Sequence, residues 1–392
     1  MSRQERSREI DSLIVRVTIE LLNDVGPDRF TIAELARRCG LTTGAVYRRY
    51  DSVDDILKEI WRECWPSLLK FTEGSYYGGT RSEAEFEFAV SQFVAPSPEA
   101  RAAALIASCA RRVPLIEQQV RRSLELYCSP SASTDPVEQG LRFASVSLTL
   151  GRCLISKIVT IDERALREVS RLMIGTPEVE DLVQVDLSPN VFSLVNEGHV
   201  DPGLLEAGIS LISQVGFEGT TASRIARETG RPFSQFIKQF SSKSDLMEML
   251  IQELIPPSLD FENQMRDAQG PSESGAALLS WNADENAVVR KVVAEIILVA
   301  NARDSIREMV AANFAARARI LSDLGVDGID LVRGAWHFGN AYFVGMSALG
   351  LLVSTIGMDF SGAITALISM REMVTEAVIA GLQDVPDPEQ IL

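Results

Sequence analysis

The chain repeats itself. Set against its own sequence at a spacing of 190, residues 11–57 align with 201–247 without a gap, and 11 of the 47 positions are identical. The identical pairs are Asp11/Asp201, Ile19/Ile209, Leu21/Leu211, Val25/Val215, Gly26/Gly216, Thr31/Thr221, Ala36/Ala226, Arg37/Arg227, Gly40/Gly230, Ser52/Ser242 and Asp55/Asp245. They fall where turns, caps and packing faces demand a particular residue. A fainter echo pairs Ala110 with Ala300, Ile116 with Ile306 and Val120 with Val310. A repeat of this period means two copies of one structural unit, so the 392 residues are read as two modules. They join near 188–202, where Pro189, Asn190, Asn196, Gly198 and Pro202 interrupt the pattern.

Each copy opens with short helices whose limits follow from side-chain chemistry. In copy one, Ile14, Val17, Ile19, Leu21 and Leu22 form an apolar stripe that stops at Val25-Gly26, where glycine is expected to supply a left-handed C-terminal cap. Thr31 and Glu34 have capping-box spacing at the start of a second helix running to Arg38. Gly40 marks a sharp turn, and Ala36 is small enough for a neighbouring helix to approach. A third helix should begin at Thr42 or Thr43, carry Val46 inward and spread Tyr47, Arg48 and Arg49 around its other sides, with Ser52 and Asp55 capping a fourth. A short helix, a glycine turn and a second short helix have helix-turn-helix spacing. Arg37, Arg38, Arg48 and Arg49, with no acid within 37–49, place local positive charge on this unit.

The string from Thr31 to Tyr50, TIAELARRCGLTTGAVYRRY, closely resembles the DNA-binding domain of the TetR family of bacterial transcriptional regulators. The resemblance covers roughly residues 10–60, and it includes Gly26, the Ala36/Gly40 pair and Val46-Tyr47 with the aromatic Tyr50. It implies an all-α chain in which an N-terminal unit reads operator DNA while a C-terminal bundle binds an effector and dimerises. Carried over by position, it puts Thr42, Thr43 and Gly44 at base edges and Thr31, Tyr47 and Arg48 at phosphates, with Arg38 added from the local charge. One departure stands out: the family's lysine after the serine cap is absent from copy one, which has Val53, Asp54 and Asp55 there.

Copy two keeps Gly216, Thr221, Ala226 and Gly230 and has Lys243 at that lysine position, but its recognition segment reads RPFSQFIKQF from Arg231 to Phe240. Ile237 stands where the family has tyrosine. Arg231, Ser234, Lys238 and Lys243 are its candidate DNA contacts, whereas Phe233 and Phe236 would equally suit a surface buried against protein. The alternative reading is therefore an acidic helical interaction protein whose second helix-turn-helix has lost DNA.

The expected architecture is two tandem TetR-like modules packed as an intramolecular pseudo-dimer: helix-turn-helix domain 1–60, regulatory bundle 61–187, linker 188–200, divergent helix-turn-helix 201–250 and second bundle 251–385. Small residues around 143–158 and the uncharged segment around 336–353 suit the mutual interface. A homodimer of tandem chains would instead place four heads on longer DNA. A net charge of −16 opposes general polyanion binding, so DNA contact must come from local patches. The uncharged run 334–358 is long enough to span a bilayer, but its glycines, His337 and Asn340 favour a buried helix interface over a membrane span. Five cysteines without C-x-x-C spacing, and an N-terminus without an apolar signal core, read as reduced thiols in the cytoplasm; Cys39 reads as an apolar filler beside Gly40. No nucleotide-binding, hydrolase or metal-ligand motif occurs, so neither catalysis nor a cofactor is expected. In the second bundle Trp336, His337, Tyr342 and Phe343 are the candidates to line a mostly apolar effector pocket, set against the plainer reading of packed core with a buried, satisfied histidine.

Overall fold

The computed structural model describes residues 3–75, 83–129, 135–167, 194, 201–232, 234, 243–258, 280–322, 329–353 and 358. Every regular element among them is helical, and none is a strand. The first half contains α1 (Arg3–Val25), α2 (Ile32–Cys39), α3 (Thr43–Tyr47), α4 (Val53–Gly74), α5 (Glu83–Val94), α6 (Pro98–Ala110), α7 (Pro114–Cys128) and α8 (Pro136–Ile155). The second half contains α9 (Pro202–Gly219), α10 (Ala222–Glu228), α11 (Lys243–Ser258), α12 (Ala287–Ala302), α13 (Asp304–Ser322) and α14 (Ile329–Leu349). None of the described helices is long and apolar enough to cross a membrane.

The repeat is visible in the backbone. Among the described residues, positive φ occurs only at Gly26, Gly40, Gly216 and Gly230, two pairs separated by the repeat spacing. Gly26 and Gly216 share one conformation, φ 74° with ψ 168° and 174°, which no side chain adopts without strain. This corrects the sequence reading: Gly26 is not a left-handed cap, because its ψ is extended. Its N–H still bonds to the Leu22 carbonyl at 3.0 Å, and the chain then enters a single 3-10 turn, Pro27–Arg29. The left-handed cap belongs to Gly40, with φ 64° and ψ 28° after α2.

The capping box is also half-formed. The Glu34 N–H donates to Thr31 Oγ1 at 3.2 Å, as the Arg224 N–H does to Thr221 Oγ1 in copy two. The Glu34 carboxylate does not turn back. It accepts from Arg37 at 2.6 and 2.7 Å and from Arg38 at 3.1 Å, because two guanidiniums one turn on outcompete a single backbone amide.

The core of the first N-terminal domain, here head one, gathers Ile14, Leu21, Leu22, Ile32, Leu35, Val46 and Ile56. The α4 helix runs from this head into its bundle, despite Pro66 in its interior, and packs along α6. The two halves meet most extensively through α8 and α14. They cross at two glycines. A methyl group on Gly151 would overlap the Ala341 carbonyl, and one on Gly345 would overlap the Ser147 carbonyl. Each glycine thus sits over the carbonyl four residues before the other glycine, a reciprocal contact with local two-fold character. Close approach of this kind brings backbones into van der Waals contact that any β-carbon would prevent.

Candidate nucleic-acid interface

Head one presents a compact exposed face. The Ala45 N–H donates to Thr42 Oγ1 at 3.2 Å, so Thr42 caps α3 and fixes where it begins. Val46, fully buried, pins the helix to the core. The remaining side chains must then point outward: Thr42, Thr43, Gly44, Tyr47 and Arg48 are all exposed, Tyr47 to 53%. Thr31 is exposed at the start of α2, on the same head. At the far side, the Asp55 N–H donates to Ser52 Oγ at 3.1 Å, and the Ser52 hydroxyl donates to the Asp55 carboxylate at 2.9 Å, starting α4.

The local positive charge is smaller than the sequence window implies. Arg37 pairs with Glu34, Arg38 with Asp24 at 2.7 Å and with Glu34, and Arg49 with Asp11 at 2.6 Å. All three acids lie outside 37–49. The Arg37 and Arg38 guanidiniums hold the Glu34 carboxyl down at about 2. Arg48 makes no ion pair among the described residues.

In copy two, Arg231 is exposed and pairs with Asp201 at 2.8 Å, and Ser234 is exposed. Asp201 is the repeat partner of Asp11, yet the arginine each one holds lies at opposite ends of the recognition segment. Lys238 lies outside the described residues, as do Phe233 and Phe236, and Lys243 begins α11 with a side chain outside them. Arg224 and Arg227 are exposed on α10.

A family model of bacterial regulatory proteins, tetR family, matches the chain twice, at residues 14–60 and at 204–250. The two matches are 190 residues apart, the spacing found in the sequence and in the positive-φ glycines. The chain thus carries two tetR-type N-terminal domains in tandem. No curated protein matches the chain. Both matched segments are of the helix-turn-helix, DNA-binding type found in transcription regulators, and every described element of the chain is helical.

Two sets of ion pairs fasten these heads to the bundles. Arg112, in the turn after α6, pairs with Asp28 of head one at 2.9 Å, and Arg303, in the turn after α12, pairs with Glu218 of head two at 2.6 Å. These are near-equivalent positions in the two copies. A third carboxylate has no counterpart. Glu295 on α12 is completely buried, accepts from Arg111 at 2.6 Å, forms an ion pair with Arg112 at 3.1 Å, and receives the Phe217 N–H at 3.3 Å. Arg111 also donates to the Ser213 carbonyl at 2.7 Å. One buried acid therefore joins bundle two, the turn of bundle one and the first helix of head two. The repeat partner of Glu295 is Leu105, so head one lacks this anchor; its Gly26 rests against the Ala302 methyl, and Arg29 donates to the Ala302 carbonyl at 3.1 Å. Sequence inspection missed Glu295 because an acid among the valines and isoleucines of α12 has no motif around it.

The effector candidates lie inside packed helices. His337 is buried on α14; its Nε2 accepts the Asp162 N–H at 3.3 Å, and Arg333 donates to the Asp162 carboxylate at 2.9 Å. Burial, reinforced by Arg152 and Arg333, pushes the imidazole down to about 4, so it is neutral at pH 7. The Phe343 ring packs on Trp281 with centroids 4.6 Å apart, and Tyr342 is buried beside it in sequence. The side chain of Trp336 lies outside the described residues. No group of metal-ligating side chains occurs among the described residues.

Proposed function

We propose that the chain is a transcriptional repressor that acts as a single-chain pseudo-dimer, carrying both halves of the usual two-fold reader in one polypeptide. The observation that carries this reading is the pairing of two heads with one reciprocal glycine crossing between α8 and α14. Two-fold regulators place two recognition helices in successive major grooves, and a fused pair needs no second chain to do so. Head one reads bases through Thr42, Thr43 and Gly44 and grips phosphates with Thr31, Tyr47 and Arg48, the residues that its fold leaves exposed. Arg38 contributes less, since two carboxylates already hold it. Head two reads with Arg231, Ser234, Lys238 and Lys243. The two segments differ in sequence, so the operator is asymmetric. An apolar effector acting near Trp336, His337, Tyr342 and Phe343 would have to open packed side chains and so shift the crossing helix α14.

Selection of binding sites from a random duplex pool tests the reading, using the intact chain, Tyr47→Ala and the double variant Lys238→Ala/Lys243→Ala, alongside the mass in solution. An asymmetric two-part site bound by a monomeric chain is expected, with Tyr47→Ala degrading one half and the lysine variant the other. A palindrome bound by a dimeric chain, indifferent to the lysine changes, would make head two a protein-facing scaffold.

A further inference from the structure

Basic side chains from three elements converge where the end of α1 passes between the two halves. The ring can be followed bond by bond. The Asn23 amide donates to the Pro98 carbonyl at 2.9 Å, one turn ahead of Arg101 on α6, and the Lys157 ammonium, just beyond α8, donates to the Asn23 carbonyl. The Asn301 amide, near the end of α12, donates to the Leu154 carbonyl of α8 at 2.7 Å. Arg307, in the first turn of α13, donates to the Ala300 and Asn301 carbonyls at 3.0 and 3.3 Å. Burial and mutual repulsion with Arg307 push Arg101 and Lys157 below their ordinary pKa values.

The acids that face this cluster are already engaged. Asp24 binds Arg38 at 2.7 Å, and the exposed Asp304 binds Arg307 at 2.8 Å. Four cations, Arg38, Arg101, Lys157 and Arg307, therefore meet two carboxylates inside a chain of net charge −16. Arg101 is the group left over. Its Nε and Nη2 are sealed from solvent, and no acceptor among the described residues reaches them. Arg152 and Arg290 are buried more deeply, but Arg152 donates to the carbonyls of Phe93, Val94 and Val159, and Arg290 to those of Trp281 and Ala283. Arg290 keeps only its Nε without a hydrogen bond, as do Arg111 and Arg112, whereas Arg101 leaves both Nε and Nη2 without one among the described residues. A buried charged donor without an acceptor is destabilising, and an anion removes both that penalty and the repulsion between its neighbours.

We propose that this junction binds one small oxyanion, a phosphate or carboxylate group, between Arg101, Lys157 and Arg307, with the sealed edge of Arg101 as its principal donor. Because Asn23 and Asp24 end the first helix of head one, occupancy ties that head to both halves at once. Calorimetric titration of the full chain near neutral pH at constant ionic strength, with inorganic phosphate and separately with acetate, tests this. The expected result is saturable binding of at least one anion at a single site per chain, abolished by Arg101→Gln and weakened roughly tenfold or more by Lys157→Gln. The double variant Tyr47→Ala/Arg48→Ala should bind unchanged, which separates the junction from phosphate held at the reading head. Circular dichroism checks that Arg101→Gln is folded, and if it is not, Lys157→Gln decides. Phosphate alone would assign a phosphorylated ligand, acetate alone a carboxylate. Absence of saturable binding of either anion to the parent chain, or binding that Lys157→Gln leaves intact, overturns the proposal.

Discussion

Arg37, Arg38, Arg48 and Arg49 look alike in the sequence, yet Arg37 is bound to Glu34 of its own helix, Arg38 and Arg49 to acids on α1, and only Arg48 makes no ion pair among the described residues. Arg48→Ala should therefore lower the slope of log affinity against log salt by about 0.9, the contribution of one phosphate contact. Arg37→Ala should leave the slope nearly unchanged, and an equal loss from both would contradict this assignment. Tyr47 is half-exposed, so Tyr47→Ala should change unfolding stability by less than about 0.5 kcal/mol while weakening duplex binding. His337 carries a different consequence. Its folded value of about 4 lies below its ordinary 6.5, so the stability it contributes is present above pH 6.5 and is lost as pH falls towards 4. At about 1.4 kcal/mol per pH unit the parent chain should lose roughly 3 kcal/mol more over that window than His337→Gln, as read by denaturant unfolding at each pH.

At the scale of helices, the crossing of α8 and α14 shows how one atom decides a packing mode. Gly151→Ala or Gly345→Ala would force a methyl into a backbone carbonyl that cannot move independently of its helix, so the two halves must separate. The expected loss is above about 3 kcal/mol, seen as a lower melting temperature. Gly339→Ala, on the same helix with nothing near its added methyl, should be neutral or stabilising by up to about 1 kcal/mol. Equal effects from Gly345 and Gly339 would mean that helix propensity, not contact, governs α14. Much of this element was legible beforehand: small residues in an uncharged segment announce close helix packing. The partner carbonyls of Ala341 and Ser147 were not, because nothing in a one-dimensional sequence sets the axial offset of two helices.

For the molecule as a whole, the informative feature is that two homologous heads are attached unequally. Each head has its own ion pair to the bundles, but head two is held in addition by Glu295, a fully buried acid shared between Arg111 and Arg112 of the other half, while head one adds only Gly26 and Arg29 against Ala302. Removing one partner of a buried pair leaves the others uncompensated, so Glu295→Ala should destabilise the chain by about 3–5 kcal/mol. Leu105→Ala, at the repeat-equivalent position, should cost about 2–5 kcal/mol by the separate route of a cavity. Only the glutamate variant should also alter hydrogen exchange in α9, since only Glu295 touches the Phe217 amide. Unchanged exchange in α9 would dissociate the acid from head two.

Local chemistry written in the residues themselves determined the tandem repeat, the helix limits at Thr31, Gly40, Thr42 and Ser52, the all-α class and the exposed reading face. Caps, turns and amphipathic stripes act over a few residues, and the repeat multiplies the signal. Only the tertiary structure decided which of the head-one arginines are paired among the described residues, that Gly26 is extended where Gly40 is left-handed, that Glu295 joins the halves and that no acceptor among the described residues reaches Arg101 Nε or Nη2. Those outcomes depend on distances between groups that lie far apart in the chain, such as Arg111 and Glu295, and a charge pattern read along a sequence carries no record of which opposite charge folding brings alongside it.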